Sequence, residues 1–448
     1  METVAAISTP NASGGIGMIR ISGEDSLHIA EQMFTSANGR KVSEMRGYTC
    51  AYGTVHDDKI LLDDVVLTVF RAPHSYTGED VVEITCHGGV FLCRRILSLL
   101  FRLGAKPAGA GEFTKRAYLN GKLSLSQAEA VMDVIAADSE IALKQANYVR
   151  SGRLSQRMKA CSEQITELLS AFAYWMDDAE EEPPELQEDT LISSLSEISA
   201  SLTELLRSYQ NGKVFREGIR TVLLGLPNAG KSSVMNWLAG SRRSIVTDIA
   251  GTTRDVVTEQ VRFGEYTLLL ADTAGIRESN NPIESIGIEA AFSEVKDADL
   301  LLYVVDAAVG LTDEDKAILQ RYREKKTILL WNKCDLSPTE PPEIGVPVAV
   351  CAAKSCEGEQ QLCDALREVF PVPATNADLS VVNERQHALL LEAQQAISSA
   401  VSDLCAQAEL DMVYHFLEIA ANALYSLDGE NVSEDVVNGV FSKFCVGK

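Results

Sequence analysis

The stretch Gly225-Leu226-Pro227-Asn228-Ala229-Gly230-Lys231-Ser232 decides the reading of this chain. It fits the pattern Gly, four residues, Gly-Lys-Ser. The run before it, Thr221-Val222-Leu223-Leu224, is apolar and partly β-branched and reads as a buried strand. The run after it, Ser233-Val234-Met235-Asn236-Trp237-Leu238, reads as a helix. A glycine-rich turn between strand and helix aims consecutive backbone N–H groups, and the positive end of the helix, at phosphate oxygens. In such a loop Lys231 reaches the outer phosphates and the Ser232 hydroxyl holds Mg²⁺.

Three further motifs follow in a fixed order, each after an apolar run. Asp272-Thr273-Ala274-Gly275 ends the strand-like Thr267-Leu268-Leu269-Leu270-Ala271. An Asp there suits Mg²⁺ through a water, and the Gly lets a backbone N–H approach a terminal phosphate. Asn332-Lys333-Cys334-Asp335 ends Thr327-Ile328-Leu329-Leu330-Trp331. Asp335 suits guanine, whose ring edge offers two N–H donors that adenine lacks; the wrong base would leave buried groups unpaired. Cys351-Ala352-Ala353-Lys354 ends a fourth strand and would back the base. Gly251-Thr252-Thr253-Arg254-Asp255 lies where a switch belongs, and Thr253 can complete the Mg²⁺ shell. Together they imply GTP binding on a doubly wound, mostly parallel sheet.

The rest of the chain adds more domains. A length of 448 residues suggests two to four of them. The net charge of −24 argues against broad, non-specific nucleic-acid binding, so any RNA contact should be local or shared with a partner. Ten cysteines without a CxxC pair or zinc-ligand spacing read as reduced thiols of a cytoplasmic protein. The first Arg is Arg20, so no basic leader is expected, and no apolar run approaches the ~20 residues that span a bilayer.

Residues 1–119 read as mixed α/β. Strand-like runs lie at Val4–Ile7, Gly17–Ile21, Ile60–Phe70 and Val81–Thr85, and a helix over 88–103 carries Leu92, Ile96, Leu99 and Leu100 on one face. Residues 124–176 are nearly free of Gly and Pro and read as long helices, with Ile165, Leu168, Leu169 and Phe172 at helical spacing. The acidic run Asp177 to Asp189 reads as a solvated loop, and helix resumes over 190–210. After the strand–helix alternation of 215–371, residues 380–448 are helical again, with Leu389, Ala393, Ala396 and Ile397 on one face. The expected organisation is an N-terminal α/β domain (1–119), a discontinuous helical domain (120–214 plus 372–448), and a nucleotide domain (215–371) inserted into it.

The motifs resemble those of translation-factor-type GTPases, and nearly the whole chain resembles the tRNA-modification GTPase family MnmE, also called TrmE. Outside the nucleotide domain the resemblance rests on Ser75-Tyr76-Thr77-Gly78-Glu79-Asp80, His87-Gly88-Gly89, Gly111-Glu112-Phe113-Thr114-Lys115-Arg116-Ala117, Gln127-Ala128-Glu129-Ala130 and the terminal Phe444-Cys445-Val446-Gly447-Lys448.

That resemblance implies a GTPase of tRNA wobble-uridine modification, placing an aminomethyl-type group on carbon 5 with a flavin-dependent partner, MnmG (GidA). It implies nucleotide contacts from Asn228, Ala229, Gly230, Lys231, Ser232 and Ser233, and from the switch residues Thr247, Asp248, Ile249, Ala250, Gly251, Thr252 and Thr253. Many small GTPases carry a water-orienting Gln after the DTAG glycine. Here Ile276 stands there and can neither donate nor accept. The family supplies two substitutes: a K⁺ ion held by Asn228, Thr247, Ile249 and Thr252 when two GTPase domains of a homodimer meet, and Glu284 orienting the water. Read alone, Asn228 could equally shape the loop, and Glu284 is an ordinary solvated helix residue. One departure is Ala352, where the family usually carries Ser; the Ala353 N–H is expected to suffice.

The resemblance further implies a formyl- or methylene-tetrahydrofolate bound through Arg20, Glu83, Lys122 and Lys448, with Cys445 as a candidate reactive thiol. A pterin offers donors to a carboxylate such as Glu83, and a glutamate tail suits Arg20 or a Lys. For tRNA, the basic stripe Arg150, Arg153, Arg157, Lys159 reads as a solvated helix face, so most phosphate contacts would fall to the partner. Two other readings stay open: a ribosome-assembly GTPase, and a GTP-driven scaffold whose partner performs all the uridine chemistry.

Overall fold

The computed structural model describes residues 1–178, 186–240, 259–270, 295–337, 339–372, 383–406 and 410–448. Met1–Met132, Val149–Ser199 and Ala388–Lys448 form one compact unit; Asp133–Tyr148 and Ala200–His387 form a second. Among the described residues no helix is long and apolar enough to cross a membrane.

The first unit holds a seven-stranded sheet of β1 (Val4–Ile7), β2 (Ile16–Ser22), β3 (Phe34–Ser36), β4 (Thr49–Asp57), β5 (Ile60–Phe70), β6 (Val81–His87) and β7 (Lys106–Pro107). Its order is β3-β4-β5-β6-β2-β1-β7, antiparallel throughout except β1 with β7. Along β5, Val65, Leu67 and Val69 are buried and Asp64, Val66 and Thr68 are not, the period of two that a sheet with one packed face requires. The helix Val90–Arg102 covers the packed face with Cys93, Ile96, Leu99 and Leu100. Leu92, expected in that row, is only half-buried, and Cys93 takes its place.

The same unit contains a buried polar cluster built from two of the family-marking segments. Arg116 is 4% exposed and donates to Glu79 at 2.9 Å and to Glu112 at 3.0 Å. Ser22 Oγ donates to the same Glu79 at 2.7 Å, and lies 2.8 Å from Thr77 Oγ1. A buried guanidinium is tolerable only with such partners, because an unpaired charge in an apolar surround is far too costly.

Helices follow where polar spacing predicts them, but with breaks. Ser124 and Gln127 form a reciprocal cap that starts Leu125–Ala136, and Asn383 with Gln386 does the same for Glu384–Cys405. The helices expected over 124–176 are three: Leu125–Ala136, Glu140–Arg150 and Arg153–Asp178. Ser139 caps the second, and Gly152, at φ +81, ends it in the left-handed region. Along Glu384–Cys405 the buried row is Leu390, Ala393, Ala396, Ile397, Ala400 and Leu404; of the expected face Ala393, Ala396 and Ile397 are buried, and Leu390 takes the place of the half-buried Leu389. In the first unit, Leu410–Asp428 packs along Arg153–Asp178, with Phe172 against Tyr414 edge-on at 6.0 Å.

The second unit holds β8 (Ile219–Leu224), β9 (Glu259–Phe263), β10 (Tyr266–Leu270), β11 (Leu300–Asp306), β12 (Thr327–Asn332) and β13 (Val348–Val350), in the order β13-β12-β11-β8-β10-β9. All pairs are parallel except β9 with β10. Both faces are covered. Leu223, Leu302, Val304 and Leu330 enter one core, and Val222, Leu224, Tyr303 and Trp331 the other. This is why Leu300–Val305 and Thr327–Trp331 read as unbroken apolar runs. Ile141 joins the first of these cores, Arg216 pairs with Asp133 at 2.9 Å, and Thr267 donates to Asp138. The segment 133–148 thus folds with the parallel sheet. The Tyr303 hydroxyl donates to buried Asp315 at 2.8 Å; burial and that carboxylate push the phenol far above its usual range, so it remains a donor.

Arg116→Met should remove the cation while leaving Glu79 and Glu112 behind, and destabilise the first unit by ~3 kcal/mol. Calorimetry on the full chain would show its unfolding transition at lower temperature. Arg116→Met combined with Glu79→Leu should recover much of the loss; a double variant as unstable as the single one would contradict the ion-pair account.

Candidate functional site

The loop 225–232 sits at the carboxyl end of β8, between β10 and β11, where an open parallel sheet changes the direction of its connections. Its turn demands unusual backbone. Gly225 lies at φ +150, and a Cβ there would collide with the Val304 carbonyl. Gly230 lies at φ +98, and a Cβ there would collide with the Asn332 amide. Asn228 adopts φ +62, which Asn tolerates better than most residues. Lys231 Nζ donates to the Gly225 and Leu226 carbonyls at 2.8 and 2.9 Å. Ser232 and Ser233 lie exposed in the first turn of the helix Lys231–Gly240, where N–H groups have no intrahelical acceptor.

Asn332 joins this loop to two others. It is 1% exposed, its Nδ2 donates to the Ala229 carbonyl at 3.0 Å, and its Oδ1 accepts from Ala353 N at 3.1 Å. Lys333, at φ +65, donates to the Asn228 carbonyl at 2.7 Å and to Asp306 at 2.6 Å. Burial pushes the Asp306 carboxyl up, but the Lys333 ammonium and the Ala308 N–H hold it below the usual carboxylate range. Asp335 is exposed on the turn that follows. Ala352 and Ala353 are buried and Lys354 exposed. The thiol of Cys351 is pushed up to about 12 by burial, so it is a packing group rather than a nucleophile.

In the first unit, Arg20 on β2 stands opposite Glu83 on β6, with the guanidinium 2.7 Å from the carboxylate. Rings of Tyr76 and Phe113 flank that guanidinium, at 5.6 and 5.4 Å. The C-terminal tail is threaded beside them. Phe113 N–H donates to the Lys448 carbonyl at 3.1 Å, Gly111 N–H to the Cys445 carbonyl at 3.3 Å, and Ser8 Oγ to the Gly447 carbonyl at 2.9 Å. Gly447, at φ +97, lies against Ile7 so tightly that a Cβ would strike its carbonyl. Cys445 is exposed. Lys122 donates to the Pro73 carbonyl at 3.0 Å, which holds it against the turn that carries Tyr76.

Two family models match this chain: "GTP-binding protein TrmE N-terminus" over residues 3–122 and "MnmE helical domain" over residues 125–445. The chain belongs to the MnmE (TrmE) family. It is similar to the tRNA modification GTPase MnmE of Clostridioides difficile (strain 630), 38% identical over 459 residues, covering 100% of this chain and 99% of that protein. It is similar also to the tRNA modification GTPase MnmE of Bacillus subtilis (strain 168), 37% identical over 460 residues and covering 100% of both. Among solved structures, the G domain of the T. maritima FeoB iron transporter aligns with 34% of this chain and 98% of its own, at 23% identity and a TM-score of 0.25, too loosely to add to the fold read from the sheet itself.

Within this MnmE-family chain, Asn228–Ser233, Asn332, Lys333, Asp335 and Ala352–Lys354 cluster at the strand ends of one sheet. Arg20 and Glu83 meet directly, and Lys448 reaches them through Phe113. Thr247, Asp248, Ile249, Ala250, Gly251, Thr252, Thr253, Asp272, Thr273, Ala274, Gly275, Ile276 and Glu284 lie outside the described residues. Asp306, Tyr76 and Phe113 were not expected in the site. Asp306 ends an apolar strand in Val304-Val305-Asp306, the same strand-end position that singled out Asp272, and that signal was available. The Ala353 N–H, expected to back the base, already serves Asn332.

Asn332→Ala would strand the buried Ala353 N–H and Ala229 carbonyl. A loss of ~2–4 kcal/mol in the stability of the second unit is expected. Thermal unfolding should show the drop, and fluorescent-nucleotide titration should show affinity weakened by more than about tenfold; unchanged values in both would mean that the two bonds carry no energy.

Proposed function

We propose that this chain hydrolyses GTP in tRNA wobble-uridine modification, as a K⁺-activated homodimer working with a flavin-dependent partner. The observation that carries the nucleotide half is the Asn332 amide, which joins the phosphate-type loop to the base-type loops at the ends of β8, β12 and β13. On this reading residues 215–371 are the GTPase domain, inserted into a helical domain of 120–214 plus 372–448, and 1–119 is the folate and dimerisation domain.

Asp335 selects guanine, and Lys231 and the helix N-terminus receive the phosphates. The exposed Ser232 hydroxyl fits an Mg²⁺ ligand, with Thr253 as a second and Asp272 acting through water. Asn228, with Thr247, Ile249 and Thr252, would hold K⁺, which supplies positive charge between the β- and γ-phosphates. Glu284 would orient the attacking water in place of the Gln that Ile276 replaces.

The Arg20–Glu83 pair, bracketed by two rings, fits a formyl- or methylene-tetrahydrofolate. A carboxylate meets pterin donors, a guanidinium meets the glutamate tail, and aromatic faces meet a flat heterocycle. Lys122 and Lys448 would add charge, and Cys445 is the exposed thiol of the tail. The similarity to tRNA modification GTPases over the full chain supports tRNA as the macromolecular substrate.

GTP turnover in KCl should exceed that in NaCl at equal ionic strength by at least about tenfold, and should rise with protein concentration as dimers form. Equal rates in the two salts would remove K⁺ from the mechanism. Glu83→Gln should weaken folate binding by about tenfold in calorimetric titration while GTP turnover stays unchanged; an unaltered folate titration would separate Glu83 from that site.

A further inference from the structure

We propose that Asp306 is a positioning residue of the guanine-nucleotide site, acting through Lys333; the assignment rests on the nucleotide reading above. Asp306 is the last residue of β11 and pairs in register with Asn332, the last residue of β12. Its carboxylate is 17% exposed and each oxygen has one task. Oδ1 accepts the Ala308 N–H at 2.9 Å, which fixes the carboxylate on its own turn. Oδ2 accepts from Lys333 Nζ at 2.6 Å.

The other acceptor of that ammonium is the Asn228 carbonyl, at 2.7 Å, on the phosphate-type loop. Asn228 and Lys333 both adopt left-handed backbone, at φ +62 and +65. Two residues in a sparsely populated conformation therefore face each other across one ammonium, and Asp306 is the fixed anion that keeps the ammonium there. Without that charge Lys333 would be held by one neutral carbonyl, and its flexible stem would favour water. The loop carbonyl of Asn228 would lose its clamp, and the base side of the site would no longer be tied to the phosphate side.

The test is mant-GDP dissociation from the full chain, measured by chase with unlabelled GDP. Asp306→Asn keeps an oxygen for the Ala308 N–H and removes the charge that faces Lys333. It should speed dissociation about tenfold and weaken GDP and GTP affinity by a similar factor, the expected loss of one charge-assisted hydrogen bond. Asp306→Glu, which keeps the charge, should recover part of the affinity. In a Lys333→Met background the same Asp306→Asn change should alter dissociation by less than about twofold, since its target is gone. Unchanged dissociation in Asp306→Asn would overturn the assignment. So would a full tenfold effect that persists without Lys333, because Asp306 would then act on the fold. Failure of the unaltered chain to bind mant-GDP would overturn the nucleotide reading itself, and this assignment with it.

Discussion

One buried amide ties together the described loops of the nucleotide site. Asn332 is 1% exposed, and both ends of its side chain are engaged, one by the Ala229 carbonyl and one by the Ala353 N–H. Those partners sit on loops that leave β8 and follow β13, while Asn332 itself ends β12. Parallel pairing sets the relative height of the three strand ends, and the amide then converts strand register into loop position. Gly230 carries a second constraint from the same contact. A glycine in this pattern is usually explained by phosphate approach. Here the space beside its Cα is already filled by Asn332, so a side chain would break the link before any ligand arrived.

The first unit is held by a comparable device at its end of the chain. The tail 445–448 makes backbone hydrogen bonds to Gly111 and Phe113 and accepts from the Ser8 hydroxyl, and only a residue without a Cβ fits at 447. Phe113 does double duty. Its N–H fixes the tail, and its ring lies beside the Arg20 guanidinium. Three residues on, Arg116 is buried against Glu79. The segments that mark the family therefore combine a few groups with a partly open face and many that satisfy one another internally. Sequence resemblance does not separate these two kinds of residue. Burial and pairing do: Arg116, Thr77 and Ser22 belong to the fold, whereas Arg20 and Glu83 keep a partly open face.

The parts legible in the sequence were those set by local pattern. Strands β5, β8, β10 and β12 announced themselves through apolar period or unbroken apolar runs, and the loop at 225–232 through glycine spacing. Less legible were features fixed by packing across the chain. Where two leucines are adjacent at the edge of a helix face, as at Leu389 and Leu390, only the partner surface decides which of them is buried. The break at Gly152 was visible as a lone glycine, but in a helix-rich stretch that signal competes with strong flanking propensity. Asp306 carried a local strand-end signal, but its partner Lys333 lies more than twenty residues away, and Phe113 meets Arg20 through a contact that no local pattern encodes. The clustering of 133–148 with the parallel sheet has the same origin, because Ile141, Asp133 and Asp138 are read as helix or loop until the sheet they touch is known.

The Ala at position 352 suits the same arrangement. Ala352 is 1% exposed, its N–H donates to Glu357, and its carbonyl accepts from Glu357 N and from the Ser355 hydroxyl at 3.3 Å. A hydroxyl buried there would need an acceptor where the nearby backbone groups are already paired, and a methyl makes no such demand. The backbone N–H of the next residue, Ala353, donates to Asn332. How firmly that donor is held depends in turn on how firmly Asn332 is fixed from its other end, at Ala229. The position of the loop at 352–354 and the shape of the loop at 225–232 are thereby set by one hydrogen-bond chain, and neither can be altered alone.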